Sequence, residues 1–218
     1  MRHPALLSFL ICIVCLTGFT PTARARVGET KEEFERRLLR PYIGKIIMRE
    51  RTPDAAKEAE TLRQQPFNDV RVHFPTGIRE RKYWKSAVPN TLSNENGWRI
   101  HVFFEDNASV LEAYQRIGDT LTVFEIENIL HANQGTSEWK PVEPDSLEAK
   151  ASAIGCTYQL TDGSLRAKVV GDWLLVYSVK LDAHVKEQLR VIEDNRAKNQ
   201  EEQNKARKSA APGSTEGF

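Results

Sequence analysis

Large apolar side chains at Trp98, Ile100, Val102 and Phe104 enclose Arg99 and His101. A two-residue period turns one face of a strand to a core and the other to water. This segment therefore predicts a half-buried antiparallel strand with His101 facing solvent. Around it lie three more β-rich runs, at 70–74, 79–86 and 109–117. A second group occupies 138–142, 154–160, 165–170 and 173–179. Asp162-Gly163 and Gly171-Asp172 separate the last three of these runs, and Asn96-Gly97 precedes the strand at 98–104. Such dipeptides are the short-range signature of tight hairpins.

A helical period opens each group. Thr30 is followed by Glu33, Phe34 and Leu38, and 92 positions later Thr122 is followed by Glu125, Ile126 and Leu130. In both, a threonine hydroxyl at the cap can accept from a free backbone N–H. The glutamate three residues on can reach back to the cap's own N–H. The apolar residues four and eight positions after the cap share one helical face and would dock on a sheet. A second glutamate matches as well, Glu35 with Glu127. The chain thus reads as a duplication: a first α+β unit over 26–118 and a second over 119–181. Each is a helix followed by antiparallel strands, and together they form one long sheet with those helices on one face. Residues 53–65, with Ala55, Ala56, Ala59 and Leu62, add a helix to the first unit. Asp182 starts a C-terminal helix, with Val185, Leu189 and Ile192 at helical spacing and mixed charge to residue 208. It carries no apolar stripe for a coiled coil, and 209–218 reads as a disordered tail.

The N-terminus follows neither pattern. Arg2 and His3 precede an almost unbroken apolar run over 5–19, and Ala23-Arg24-Ala25 ends the polar stretch after it. These are the three regions of a secretory signal peptide, 1–25, with cleavage between Ala25 and Arg26. An uncleaved anchor is the alternative, but the run is shorter than the ~20 apolar residues that span a bilayer. Cys12 and Cys15 follow Ile11 and Val14 rather than small residues, so no lipid anchor is expected.

Removing the leader changes charge and cysteine content. Arg2 and Arg24 leave, so 31 basic against 30 acidic residues becomes 29 against 30, a net of −1. A near-neutral protein has no global field for nucleic acid. Cys156 is left as the one cysteine, which excludes an intrachain disulfide. It reads as a small buried hydrophobe on a strand, with a reactive thiol or an interchain disulfide as the sharper alternative.

No catalytic, cofactor or metal motif emerges. His73, His101, His131 and His184 are far apart in sequence, and no nucleophile elbow, phosphate loop or C-x-x-C occurs. One basic-aromatic cluster, Arg79, Arg81, Lys82 and Lys85 around Tyr83 and Trp84, suggests a surface for an anionic glycan, lipid or protein partner, with Arg81, Tyr83, Trp84 and Lys85 at its centre. An edge strand guarded by charge is the simpler explanation of the pattern. Asn107-Ala108-Ser109 fits a glycosylation sequon. Trp139 and Trp173 are expected to pack between helix and sheet.

Gly28, Thr30, Glu33, Phe34, Leu38 and Pro41 stand in an order that resembles the opening motif of small outer-membrane-assembly lipoproteins of the SmpA/OmlA type. That family is similar in fold to the β-lactamase-inhibitor-protein group, whose helix-plus-sheet unit occurs in tandem. Leu130, Asn133, Gly135 and Trp139 also resemble an element of exported bacterial proteins that open with a G-E-T helix. The resemblance implies an envelope protein that binds or scaffolds, with an envelope protein, glycan or lipid as partner and no catalytic residues. A binding module predicts an exposed, aromatic-lined concave sheet face. It also predicts no deep polar pocket, and a buried cluster of histidine with aspartate or glutamate would refute it. An inhibitor of a secreted enzyme predicts a protruding loop near 105–107. A thiol or hydrolytic enzyme requires Cys156 exposed beside a histidine, or an acid pair.

Overall fold

The computed structural model describes residues 27–39, 65–86 and 97–209. The leader with its Ala25–Arg26 junction, nearly all of the helix expected over 53–65, and the end of the tail lie outside the described residues. In chain order the elements are α1 (Lys31–Leu39), α2 (Asn68–Arg71), β1 (Arg79–Ser86), β2 (Gly97–Glu105), β3 (Ala108–Ile117), α3 (Val123–Asn133), β4 (Trp139–Pro141), α4 (Leu147–Ala151), β5 (Tyr158–Leu160), β6 (Leu165–Val170), β7 (Trp173–Ser178) and α5 (Val179–Ser209). The strands form one antiparallel sheet in the order β1-β2-β3-β7-β6-β5-β4. The fold is α+β. Each strand group is laid down from an edge inward, and the groups meet where β3 pairs with β7, from Leu111 opposite Tyr177 to Gln115 opposite Trp173.

Both helix starts are closed by the same reciprocal bonds. Glu33 N–H donates to Thr30 Oγ1 at 3.2 Å, and Thr30 N–H donates to Glu33 Oε2 at 2.9 Å. Glu125 and Thr122 repeat the pair at 3.2 and 3.0 Å. Phe34 and Leu38 of α1, and Ile126 and Leu130 of α3, then pack on one face of the sheet against Ile100, Val102, Leu174 and Val176. Phe34 is fully buried, which is worth roughly 1.5–3 kcal/mol of apolar transfer. Trp139 ties α3 to β4, its indole N–H donating to the Leu130 carbonyl at 2.6 Å. Between β2 and β3 the chain reverses through Asp106 and Asn107 at φ 47° and 66°, a conformation these two residue types tolerate best after glycine.

The opposite face is covered too. Phe67, Phe103, Leu111, Trp173, Leu175 and Tyr177 form a second core with Leu181 and Val185 of α5. This corrects the expected placement of His101. The histidine lies on that second face beneath Phe67 and is 1% exposed. Phe103, two residues on, was the sign that the intervening positions of β2 are also buried.

Other boundaries differ from the sequence pattern. The run 70–74 is not a strand. Arg71 N–H donates to the Phe67 carbonyl and Phe74 N–H to the Arg71 carbonyl, so its bonds close locally as a helical turn. The run 154–160 shortens to β5, because Gly155 turns at φ 98° where a Cβ would come within 3.0 Å of the Lys168 side chain. Cys156 therefore precedes the strand rather than lying on it. The last helix begins at Val179, not Asp182, because Ser178 Oγ accepts from Leu181 N–H at 3.2 Å. Its packed residues end at Leu189. From Glu193 onward its side chains of known exposure are all exposed, supported by pairs such as Lys205–Glu201 at 2.6 Å.

Candidate functional site

The alternation of β1 sorts the four basic and aromatic residues onto different faces. Arg81, Tyr83 and Lys85 share the face that carries α1, and Trp84 lies on the other. Tyr83 is not a surface group: it is 4% exposed, its ring sits 5.1 Å from Phe34, and its hydroxyl donates to Glu35 at 3.0 Å. The strand has a helix to cover at that position, and an aromatic with a polar tip fills it. Trp84 is half-buried under the Arg99 guanidinium, 5.2 Å from its ring centre. Lys85 is exposed opposite Trp98.

Arg81 instead joins a cleft of about 430 Å³ at the start of α1, lined also by Lys31, Arg79, Glu32, Asp106 and Asn107. Lys31 is 3.8 Å from Glu35, and Arg79 is exposed. The acid Glu32 accepts from Asn107 Nδ2 at 2.9 Å, and that bond holds its pKa below the ordinary value. Three cations, with Lys31 paired to Glu35, therefore share the cleft with Glu32 and Asp106. The cleft suits an anionic group, which its guanidinium forks can grip through two parallel hydrogen bonds. In sequence, Arg79 and Arg81 carried a signal as alternating basic residues of an edge strand. Lys31, 48 positions from Arg79, carried none.

A second polar cluster lies on the other face. His101 Nδ1 is 2.6 Å from Glu80 Oε1, and Glu80 Oε2 accepts from Arg71 at 2.8 Å. Lys82 approaches the same carboxylate at 4.0 Å. The ring centres of Phe67 and Trp173 lie 5.2 and 5.5 Å from the imidazole, and Nε2 is buried with no hydrogen-bond partner among the described residues. Burial pushes the His101 pKa below its ordinary 6.5, with Glu80 opposing. Against the burial that would raise it, the bond and charge of His101 bring the Glu80 pKa below 4.5, helped by Arg71.

The third cluster surrounds Cys156. Asp182 is 1% exposed and accepts from Ala153 and Ile154 N–H, both at 2.9 Å, and from Arg166. The Tyr177 hydroxyl donates to the Gly155 carbonyl and lies 3.0 Å from Ser152 Oγ. The Cys156 thiol donates to the Tyr158 carbonyl at 3.2 Å and is half-buried, and burial pushes its pKa up. Its charged neighbours are Arg166 and Asp182, not a histidine. This network folds the 152–157 loop onto β6 and β7. It does not generate a thiolate.

Among the described residues no group of three or more histidine, cysteine, aspartate or glutamate side chains is placed to hold a metal ion, and no helix is long and apolar enough to cross a membrane. Compared with protein-family models, curated proteins and solved structures, the chain matches none of them.

Proposed function

We propose that this is an exported protein of the bacterial cell envelope that binds or scaffolds another envelope component and catalyses no reaction. It engages an anionic group of that partner at the cleft of Lys31, Arg79 and Arg81. The observation that carries this reading is that three cations from two separate elements converge on one open cleft. The apolar leader over 5–19 supports export. Two matched helix caps, and strand groups that meet at the centre of one sheet, support an origin by duplication in the tandem β-lactamase-inhibitor-like manner. The resemblance of Gly28, Thr30, Glu33, Phe34 and Leu38 to SmpA/OmlA-type proteins supports the envelope.

The reading moves away from an exposed aromatic sheet face, because helices cover both faces. An inhibitor role draws less from the geometry. The 105–107 turn is tight and fastened to α1, where Lys31 N–H donates to the Asn107 carbonyl at 3.3 Å.

The test is binding of the full chain to three probes: an acidic peptide, a phosphorylated oligosaccharide and phosphatidylglycerol vesicles. One of them is expected to bind, with affinity falling as salt rises, and Arg79→Glu with Arg81→Glu abolishes it. Equal binding by the charge-reversed protein, or no binding to any probe, overturns the proposal.

His101 and Glu80 favour a second reading: a single buried histidine–carboxylate pair stops short of the cluster that would refute a binding module, yet it is the start of one. In that reading His101 is a general base oriented by Glu80, with Nε2 available to a substrate. The ring is sealed by Phe67 and Trp173, so access requires the 65–74 segment to move. Turnover of ester or glycoside substrates that is lost in His101→Gln would establish this alternative over the binding reading.

A further inference from the structure

Residues 65–74 lie on the second face of the sheet, and the backbone hydrogen bonds they form among the described residues stay within the segment: Asn68 to Gln65, Arg71 to Phe67, His73 to Val70 and Phe74 to Arg71. Side chains hold it down. Phe67 is buried against His101, Phe103 and Trp173, with ring centres 5.2, 5.3 and 5.6 Å away. Phe74 meets the edge of Phe103 at 5.4 Å. The one carboxylate of Glu80 joins the segment's Arg71 to the sheet's His101.

With Glu80 ionised, His101 donates from Nδ1, and Nε2 carries a bare lone pair. A second proton must go to Nε2, where the ring is enclosed by aromatics and, among the described residues, no acceptor is in reach. The charged groups around the imidazole are Glu80 and Lys82 from β1, Arg99 from β2 and, through Glu80, Arg71 from α2. The α5 side chains in this core, Leu181 and Val185, are apolar. Among the described residues, three cations and one anion surround the ring, and Lys82 and Arg99 both oppose a positive charge on it. Lifting the segment would give the imidazolium water.

We infer that Arg71, Glu80 and His101 form an acid-sensitive latch that releases residues 65–74 from the sheet. Because burial places the closed-state His101 pKa below 6.5, the open state binds the proton more readily. The latch is therefore fully effective above pH 6.5 and weakens as pH falls below it. Glu80, also lowered, adds to the loss only below its ordinary 4.5. Between those values His101 acts alone.

The experiment is hydrogen–deuterium exchange of the full chain, corrected for intrinsic rates, comparing the peptide over 65–74 with that over 173–177. The opening constant of 65–74 is expected to rise by up to about tenfold per pH unit below 6.5, while 173–177 stays protected. In His101→Gln this dependence should vanish above pH 4.5. Glu80→Gln should open the segment already at neutral pH, by loss of the Arg71 link. A titration of the His101 imidazole by NMR in the unaltered protein decides the matter should His101→Gln not fold. An imidazole that titrates at or above 6.5, or an unchanged acid response in His101→Gln, overturns the latch.

Discussion

Replacing Asp182 by alanine tests how the 152–157 loop is held. The carboxylate is 1% exposed and accepts two backbone N–H groups at 2.9 Å besides Arg166. Its removal strands two amides and a guanidinium whose side chain is 13% exposed. A buried donor left unsatisfied costs about 1–3 kcal/mol, and breaking a buried ion pair from one side costs about 3–5 kcal/mol. These penalties overlap, because the loop can relax and admit water, so we expect Asp182→Ala to cost about 3–5 kcal/mol in all. Arg166 retains Gln159, to which its Nε donates at 2.9 Å, and this limits the loss. Asp182→Asn keeps one acceptor and should cost less. The assay is urea unfolding at neutral pH followed by tryptophan fluorescence, with an unchanged m-value marking a pure stability effect. Adding Arg166→Met to Asp182→Ala should recover part of the loss, since the stranded charge is then gone. A cost for Asp182→Ala below about 1 kcal/mol, as for an exposed pair, would refute the assignment of Asp182 as the loop's anchor.

Two further outcomes follow from burial. Phe34→Ala empties a fully buried site and should cost about 3–5 kcal/mol, whereas Phe124→Ala, at a residue 72% exposed, should stay within about 0.5 kcal/mol; urea midpoints compare them, and equal losses would contradict the face assignment of α3. Cys156, half-buried with its thiol pKa pushed up by burial, should react slowly with iodoacetamide in the native protein and rapidly in urea. Equal rates in mass spectrometry would make it a surface thiol.

The elements that the chain announces are those whose signal is local. The two capping boxes need only residues three apart, and Thr30 with Glu33 and Thr122 with Glu125 close as that spacing implies. The strands at 79–86 and 165–170 were bounded correctly because turn residues flank them. Misreadings arose where tertiary contact overrode local pattern. Residues 70–74 alternate like a strand, yet no neighbouring strand takes them up, and Phe67 and Phe74 pull the segment into a turn over Phe103. The half-buried reading of β2 assumed one dry face. A sheet with helices on both sides buries both, and the polar residue on the second face then needs a partner of its own.

That requirement explains why neither polar centre could be read from spacing. His101 is balanced by Glu80, 21 positions earlier, and Glu80 by Arg71, on a segment that looked like a strand. Each contact joins elements whose faces are set only when the sheet assembles, because a shift of one residue in the pairing of β1 with β2 would turn Glu80 away from His101. The cleft of Lys31, Arg79 and Arg81 depends on assembly in the same way. Arg79 and Arg81 line one cleft with Lys31 because Thr30 bridges to Ala108 and seats α1 beside the β2–β3 turn. The seat is built from backbone bonds, Gly28 N–H to the Ser109 carbonyl and Ser109 N–H to the Glu29 carbonyl, both at 2.8 Å. The short stretch from Gly28 to Thr30 thus sets where Lys31 meets the two arginines of β1. A sheet covered on both faces leaves its edges and ends open, and at the start of α1 one such end brings Lys31, Arg79 and Arg81 to a single cleft.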